Sequence, residues 1–170
     1  RYETGIANSY RTESGTPTET PVVKANAYPY NYVTCSQAQT VASKLSTEGY
    51  ISSMMFGVQW DLMLKYLESK GATQAELMTN STAWGNYQST TYNITNTIAK
   101  YSTDSCVSWK SAPYNKTSSS TIWLTTGSDN KFCKQNLYDL AGNVREWTLE
   151  YTNNSEQCAN RGGSAGGDTF

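Results

Sequence analysis

The sequence predicts an irregular α+β domain with two main helices, short strands, long loops and little regular structure. Two segments, residues 34–49 and 58–70, carry the apolar spacing of helices that bury one face. From residue 78 to residue 134, turn-forming polar and aromatic residues predominate. A chain of 170 residues has the size of one domain and is long enough to bury a core. We therefore predict a single domain over residues 1–170.

The first helix is predicted to begin at Thr34. Residues 1–31, the N-terminal segment, are rich in Ser, Thr, Glu and Pro and favour an extended course over packed structure. Thr34 and Gln37 stand three positions apart, which is the spacing of a capping box. Apolar residues then follow at helical spacing: Ala38, Val41, Ala42 and Leu45. Gly49 is predicted to end the helix.

The second helix is predicted over residues 58–70, with Gly71 just past its end. Its apolar residues are Trp60, Leu64 and Leu67 on one stripe, broadened by Leu62, Met63 and Tyr66. Such a width predicts that the helix is buried on more than one side. Thr73 and Glu76 repeat the capping-box spacing and predict a further short turn of helix.

The segment between residues 78 and 134 is predicted to be mostly loop. Only residues 121–125, with the sequence TIWLT, have the composition of a strand. A loop of this length inside a compact domain needs internal ties, and ions, disulfides and packed aromatic side chains are the candidates.

Composition and charge exclude several classes of function. The chain carries 13 Lys and Arg against 14 Asp and Glu, so it lacks the basic face of a nucleic-acid-binding protein. It contains no His, which excludes Ser-His-Asp and Cys-His catalysis and His-ligated zinc. No run approaches eighteen apolar residues, so no membrane span is predicted. A neutral, polar composition with 13 Tyr favours a secreted or surface-exposed protein.

The four cysteines are far apart in the sequence and form no CxxC pair: Cys35, Cys106, Cys133 and Cys158. This spacing disfavours a zinc site, whose ligands usually come in close pairs. In an oxidising compartment the chain would form two disulfides, with three connectivities open. The alternative is that the cysteines are free and buried. If disulfides form, we expect Cys106 to pair, since it lies in a loop-like stretch.

Two motifs near the end of the sequence carry a family resemblance. Residues 136–147 read NLYDLAGNVREW, and residues 161–164 read RGGS. Together they resemble the formylglycine-generating enzyme (sulfatase-modifying factor) family, whose members carry a GLYDMAGNVWEW segment followed by RGGS. Residues 32–34, residues 84–86 and the helix that bears Trp60 agree with that family in order and spacing. The resemblance implies an irregular fold of the C-type-lectin type.

The catalytic residues of the family's oxidases do not carry over. Those enzymes bind copper through a cysteine pair in the pattern RGGSxxCxxxxC, because soft thiolates suit Cu(I). Here Gly167 stands at the first cysteine position, and the second falls beyond Phe170. Cys158 precedes the motif and does not replace either cysteine. We expect no copper and no oxidase activity. The alternative is a copper-dependent oxidase of a sulfatase cysteine, with its own cysteines beyond Phe170.

The resemblance implies a ligand-binding role in the non-catalytic branch of the family. Some members of that branch are variable proteins of diversity-generating retroelements, and their variation falls in the segment that begins near RGGS. Here that segment supplies the predicted ligand-binding residues Ser164, Ala165, Gly166, Gly167, Asp168, Thr169 and Phe170. We expect a bacterial or phage protein, extracellular or on a cell or virion surface, that binds a protein or glycan ligand through Tyr, Ser, Asn and Gly residues.

Family members continue past RGGS to a closing strand, whereas this sequence ends at Phe170. We therefore expect residues 1–170 to be a shortened form of the family domain. The alternative is that a second chain completes the fold, because a sheet without its closing strand exposes unpaired backbone groups.

The resemblance also implies a calcium ion in the first motif. Its ligands would be the side chains of Asp139 and Glu146 and the backbone carbonyls of Gly142 and Val144. Such hard oxygen ligands are those that Ca²⁺ takes, at about 2.3–2.6 Å. The alternative is that Asp139 caps a turn and Glu146 is a solvated charge on a strand. A second calcium site of the family would involve residues 93–94, but its carboxylate cannot be placed in this sequence.

Overall fold

The computed structural model describes residues 2–78, 81–153 and 156–167 of the chain. Within these residues lie three α-helices: α1 (Cys35–Ser43), α2 (Gly57–Ser69) and α3 (Gln74–Met78). The strands are β1 (Gly5–Ile6), β2 (Pro21–Val22), β3 (Tyr28–Pro29), β4 (Tyr92–Ile94), β5 (Lys100–Ser102), β6 (Lys110–Ser111), β7 (Tyr114–Lys116), β8 (Trp123–Leu124), β9 (Cys133–Lys134), β10 (Leu137–Tyr138), β11 (Glu146–Asn153) and β12 (Glu156–Arg161). The predicted irregular α+β class, with two main helices, short strands and long loops, is confirmed.

Both predicted capping boxes form. Thr34 is the N-cap of α1 and accepts the Gln37 N–H, while the Gln37 side chain accepts the Thr34 N–H at 2.9 Å. Thr73 and Glu76 exchange the same two hydrogen bonds at the start of α3. Each box involves residues three positions apart, so these helix starts depend on local sequence alone.

The helix α1 ends at Ser43, well before the predicted end at Gly49. The next residues donate to carbonyls three positions back: Lys44 to Val41, Leu45 to Ala42 and Ser46 to Ser43. This tighter winding interrupts the α-helical hydrogen-bond pattern. Gly49, with φ +83°, lies instead in the turn that joins Thr47 to Tyr50.

The helix α2 buries one face only, so the predicted burial on more than one side is wrong. Trp60 and Leu67 are 2% and 1% exposed, on the face that contacts β11 and α3. Leu62 and Tyr66, on the outer face, are 63% and 46% exposed. Within the described residues only the inner face has packing partners, so the additional apolar residues face solvent.

The strands form several small antiparallel sheets. Their orders are β2–β1–β3, β6–β5–β8, β4–β7, β9–β10 and β11–β12. The predicted strand at residues 121–125 contains β8, which pairs with β5 and places Leu124 opposite Tyr101. The hairpin of β11 and β12 is the longest pairing and sets Glu146 opposite Arg161. It thereby brings the NLYDLAGNVREW and RGGS motifs side by side.

Strands β4 to β7 lie in the segment that was predicted to be loop. Each has only two or three residues, which is too short for a period of two to be recognisable in the sequence. Packed side chains hold this segment together, as expected: Tyr92, Ile94, Ile122, Leu124 and Phe132 belong to one buried cluster. The rings of Tyr92 and Phe132 meet edge to face with centroids 5.1 Å apart.

Two further buried clusters complete the core of the described residues. One joins α2 and α3 to the loop before β11, residues 139–145. Its members are Trp60, Leu67, Leu77, Trp84, Tyr87 and Leu140. The other joins the N-terminal segment to α1 through Ile6, Tyr30 and Val41. None of the described helices is long and apolar enough to span a bilayer.

One disulfide joins Cys35, at the start of α1, to Cys158 on β12, with the two Cα atoms 6.4 Å apart. Cys133 is a free thiol, half-buried on β9, and Cys106 is free and buried. The expectation that Cys106 pairs is therefore wrong. Cys106 is 1% exposed, so its thiol lies in the interior.

Candidate functional site

A cavity of 710 Å³ lies between the N-terminal segment, α1 and the loop before β11. Its aromatic lining comprises Tyr2, Tyr30, Tyr32, Trp123, Tyr138 and Trp147. Its polar lining includes Glu3, Asn31, Asn143, Glu146 and Ser164. Ring surfaces combined with a few convergent polar groups are typical of a ligand-binding pocket. The lining comes from segments far apart in the sequence, so no local pattern predicted this cavity.

The loop before β11 is held in place by the buried side chain of Asn143. The Asn143 Oδ1 accepts hydrogen bonds from Asn86 Nδ2 at 3.1 Å and from the Leu124 N–H at 2.9 Å. Its Nδ2 donates to the Leu124 carbonyl at 3.1 Å and to Glu3 Oε2 at 3.0 Å. Asn143 therefore links its own loop to β8, to residue 86 and to the N-terminal segment.

Three carboxyl groups interact electrostatically: those of Glu3 and Glu146, which are half-buried and line the cavity, and that of Asp139, which is buried behind the lining. Burial is the largest cause and raises the pKa of all three, that of Asp139 to about 7. Repulsion from Asp139 further raises the pKa of Glu3, and repulsion from Glu3 further raises that of Glu146. Among the described residues, none of the three forms an ion pair with Lys or Arg.

The two side chains predicted as calcium ligands, Asp139 and Glu146, interact through their charges, and Asp139 adds to the rise in the pKa of Glu146. Asp139 Oδ2 accepts the Gly127 N–H at 2.6 Å. Glu146 Oε2 is buried beside Gly162 of the RGGS motif and has no hydrogen-bond partner among the described residues. Burying a carboxylate oxygen without a partner costs free energy. A proton or a cation bound to this atom would reduce that cost.

The two predicted carbonyl ligands belong to Gly142 and Val144. Within the described residues, the carbonyls of Gly142 and Val144 accept no backbone hydrogen bond. Gly142 has φ +75° and packs against the backbone of Asn86, which leaves no room for a side chain. In the described ranges no three His, Cys, Asp or Glu side chains are grouped as metal ligands. The predicted set needs only two carboxylates, and its hard oxygen donors suit Ca²⁺.

The predicted ligand-binding segment divides between cavity, core and surface. Ser164 lines the cavity. Ala165 is fully buried, and its N–H donates to the Asn143 carbonyl at 2.9 Å. Gly166 is exposed, and the Gly167 carbonyl accepts a backbone hydrogen bond at 3.0 Å. The rest of that segment lies outside the described residues: Asp168, Thr169 and Phe170.

Cys106 is part of the cavity wall. Burial raises the pKa of Cys106 to about 12, with a further contribution from the nearby Glu3. The thiol is therefore protonated at neutral pH, and a thiol is a far weaker nucleophile and metal ligand than a thiolate.

The same wall contains a second buried acceptor, Asn31 Oδ1, for which the described part of the chain supplies no hydrogen-bond partner. Three residues beside it adopt left-handed backbone conformations: Tyr32 at φ +55°, Ser105 at +58° and Cys106 at +67°. The Tyr32 hydroxyl donates to the Ser105 carbonyl and ties these two stretches together. Unmatched acceptors and strained backbone tend to cluster at binding sites. None of these features has a signal in the sequence.

Comparison with protein families, curated proteins and solved structures finds no match to this chain. The family resemblance therefore depends on residues 136–147 and 161–164.

Proposed function

We propose that the chain is a non-catalytic ligand-binding domain of the formylglycine-generating enzyme family, secreted or displayed on a cell or virion surface. The observation that carries this proposal is the 710 Å³ cavity, with Ser164 of the RGGS motif on its wall. The segment that begins at Ser164 would determine ligand specificity, as in the variable proteins of diversity-generating retroelements. The ligand would be part of a protein or glycan on another surface.

The aromatic lining supports this role. Tyr and Trp side chains provide large contact areas at a low cost in conformational entropy, which suits binding surfaces. The ring of Trp147 is held by a hydrogen bond from its Nε1 to the Val33 carbonyl at 3.1 Å. A ring that is fixed before the ligand arrives reduces the entropic cost of binding.

The positions of the cysteines support a non-catalytic role. Gly167 stands where the family's oxidases have their first copper-binding cysteine. Cys35 and Cys158 are joined in a disulfide, and the buried Cys106 is held as a thiol by its raised pKa. The thiolate pair that copper chemistry needs has no counterpart beside Ser164 within the described residues.

We further propose that Asp139 and Glu146, with the carbonyls of Gly142 and Val144, hold a calcium ion. The ion would neutralise two carboxylates that pair with no Lys or Arg among the described residues, and it would give Glu146 Oε2 a partner. Its role would be structural, because the loop that carries these ligands forms one edge of the cavity.

Ligand binding is tested by screening the full chain against a glycan array and a phage-displayed peptide library. Ser164→Arg fills the cavity, and Ser69→Arg makes the same change at an exposed position on α2 that is not part of the cavity lining. We expect selected ligands to bind the wild type and Ser69→Arg equally and to bind Ser164→Arg at least tenfold more weakly. Ligands that bind all three proteins equally would place the binding surface elsewhere and overturn the proposal.

Calcium binding is tested by thermal unfolding in calcium and in EGTA. At a free calcium concentration about 100-fold above Kd, we expect Tm to rise by roughly 5–10 °C. Glu146→Gln removes a predicted ligand and should abolish the rise. Glu13→Gln, an exposed position, should retain it. A wild-type Tm that is the same in calcium and in EGTA would rule out the site.

A further inference from the structure

We propose that a second cleft, between α2, α3 and β12, binds a neutral saccharide through its hydroxyl groups. The inference goes beyond the proposed function, because it assigns a site and a ligand class outside the 710 Å³ cavity. The second cleft has a volume of 520 Å³, within the range of about 300–1,000 Å³ that ligand sites occupy.

Three elements contribute the polar lining of this cleft. Asp61, Lys65 and Glu68 are three or four positions apart on α2, so they lie on one side of that helix. Gln74 stands at the first residue of α3, and Asn160 lies on β12. Side chains from two helices and a strand therefore surround one space.

The formal charges of the lining cancel. Asp61 and Glu68 are acidic, and Lys65 and Arg161 are basic. Lys65 and Glu68 form an ion pair at 2.7 Å, and Arg161 pairs with Glu150, just outside the lining, at 2.6 Å. A charged ligand would meet side chains of both signs, and water screens the exposed Asp61 and Lys65. The lining therefore favours a neutral ligand.

Three side chains of the lining retain hydrogen-bonding groups for such a ligand. Within the described ranges, Asp61, Gln74 and Asn160 make no side-chain hydrogen bond, and all three are exposed. The carboxylate of Asp61 is an acceptor, whereas each amide offers a donor and an acceptor. A hydroxyl group also donates and accepts, so a polyhydroxylated ligand can match all three side chains at once.

The apolar part of the lining suits the carbon–hydrogen face of a sugar ring. Met78 is 61% exposed and Leu64 is half-buried, so apolar surface is accessible in the cleft. Trp60 and Leu77 lie behind them in the buried cluster of α2 and α3. A sugar ring presents carbon–hydrogen groups on its faces and hydroxyl groups at its edge, which matches an apolar surface bordered by polar side chains.

The test is an array that carries neutral, amine-bearing and sialylated glycans, probed with the full chain and its variants. Gln74→Arg fills the second cleft, and Gln157→Arg makes the same change at an exposed position on β12 outside both linings. We expect at least one neutral glycan to bind Gln74→Arg at least tenfold more weakly than the wild type, and to bind Gln157→Arg equally. If no neutral glycan shows this pattern, the inference is overturned.

Isothermal titration with the neutral glycan so identified provides a second measurement. Asp61→Leu removes an exposed acceptor and should weaken binding at least tenfold, while thermal unfolding verifies that the variant is folded. Because the ligand carries no charge, its affinity should change less than about twofold between about 0.05 M and 0.5 M NaCl. Wild-type affinity in Asp61→Leu, or a steep loss of affinity with salt, would contradict the assigned contacts.

The variants also separate this inference from the proposed function. Trp60 and Asn160 line both cavities, so neither is substituted. Ligands that Ser164→Arg loses and Gln74→Arg retains, with no glycan showing the reverse, would overturn the second site and leave the proposed function standing. Loss of only charged glycans or peptides in Gln74→Arg would confirm a cleft but overturn its neutral saccharide. Ligands that bind every variant equally would overturn both proposals.

Discussion

The side chains of Asn86 and Asn143 hydrogen-bond to each other in the core, Nδ2 to Oδ1 at 3.1 Å, although 57 residues separate them in sequence. The pairing is reinforced by the Asn143 N–H, which donates to the Asn86 carbonyl at 2.9 Å. Asn86 Nδ2 also donates to the Ile122 carbonyl, and its Oδ1 accepts the Tyr92 hydroxyl. This pair connects the loop before β11 to the segment of residues 78–134. Since that loop forms one edge of the cavity, the position of the edge depends on the pair.

Asn143→Ala should destabilise the fold by about 3 kcal/mol, because it leaves buried donors and acceptors on Leu124, Asn86 and Glu3 without partners. Urea denaturation of Asn86→Ala, Asn143→Ala and the double variant measures the coupling. We expect the double variant to lose at least about 1 kcal/mol less than the sum of the single losses. Asn115→Ala, exposed on β7, should change stability by less than about 0.5 kcal/mol. Additive losses would mean that the two side chains act independently.

The metal-free protein should become less stable as pH rises from about 4 to about 7. Burial raises the pKa of Asp139 to about 7, so in this range the unfolded chain is ionised there while the folded chain retains the proton. The free energy of unfolding then falls with pH, at a limiting slope of about 1.4 kcal/mol per pH unit for each such group. Urea denaturation in EGTA across this pH range measures the slope.

Asp139→Asn tests the assignment of that slope. Asparagine tolerates the left-handed backbone of this position, φ +59°, and its amide oxygen still accepts the Gly127 N–H. The variant should show a shallower fall than the wild type between pH 4 and pH 7, whereas Glu13→Gln should show the wild-type fall. Parallel pH profiles for Asp139→Asn and the wild type would assign the dependence to other groups.

Loss of the disulfide between Cys35 and Cys158 should cost about 2–4 kcal/mol, since it closes a loop of 123 residues. The double variant Cys35→Ala/Cys158→Ala, compared with Cys133→Ala in chemical denaturation, measures this cost. Peptide mapping without reductant should recover the 35–158 link.

Alkylation should label Cys106 only after unfolding, because that thiol is buried. Rapid labelling of Cys106 in the native protein would contradict its placement in the interior.

Gly162→Ala should destabilise the protein by more than 2 kcal/mol, on the order expected for combined backbone strain and overpacking. Gly162 has φ +79°, and an added Cβ would lie beside Glu146 Oε2 and 2.7 Å from the Leu140 carbonyl. Gly71→Ala shares the positive φ but has open space around it, so it should cost about 1 kcal/mol. Gly15→Ala should be close to neutral. Thermal unfolding that ranks Gly162→Ala with Gly71→Ala would show that steric contact with Glu146 contributes nothing.

Sequence patterns predicted those parts of the fold that depend on neighbouring residues. The capping boxes at Thr34 and Thr73 formed as expected, because both partners lie within one turn. The end of α1 and the exposure of Leu62 were not predictable from the helical pattern. Each depends on which segment packs against the helix, and a stripe of apolar residues does not specify its partner.

In the candidate site, too, the features within one short segment were predictable and those that join distant segments were not. The family resemblance of the NLYDLAGNVREW motif implied Asp139 and Glu146 as a pair, and both lie within that one short segment of the sequence. Glu3 joins them through tertiary packing, across more than a hundred residues, and no spacing rule relates it to either. The aromatic lining of the cavity is likewise assembled from the N-terminal segment, β8 and β11.

By itself, the sequence determined the fold class, the starts of the helices and the two motifs that frame the site, because each is encoded in short-range spacing. Only the tertiary structure decided which cysteines pair, which carboxyl groups share one interior and where a cavity remains open. Those outcomes depend on contacts between distant segments. Such contacts form only in the folded chain. Their free energies depend on burial, charge and unmatched hydrogen bonds, which short-range sequence patterns do not specify.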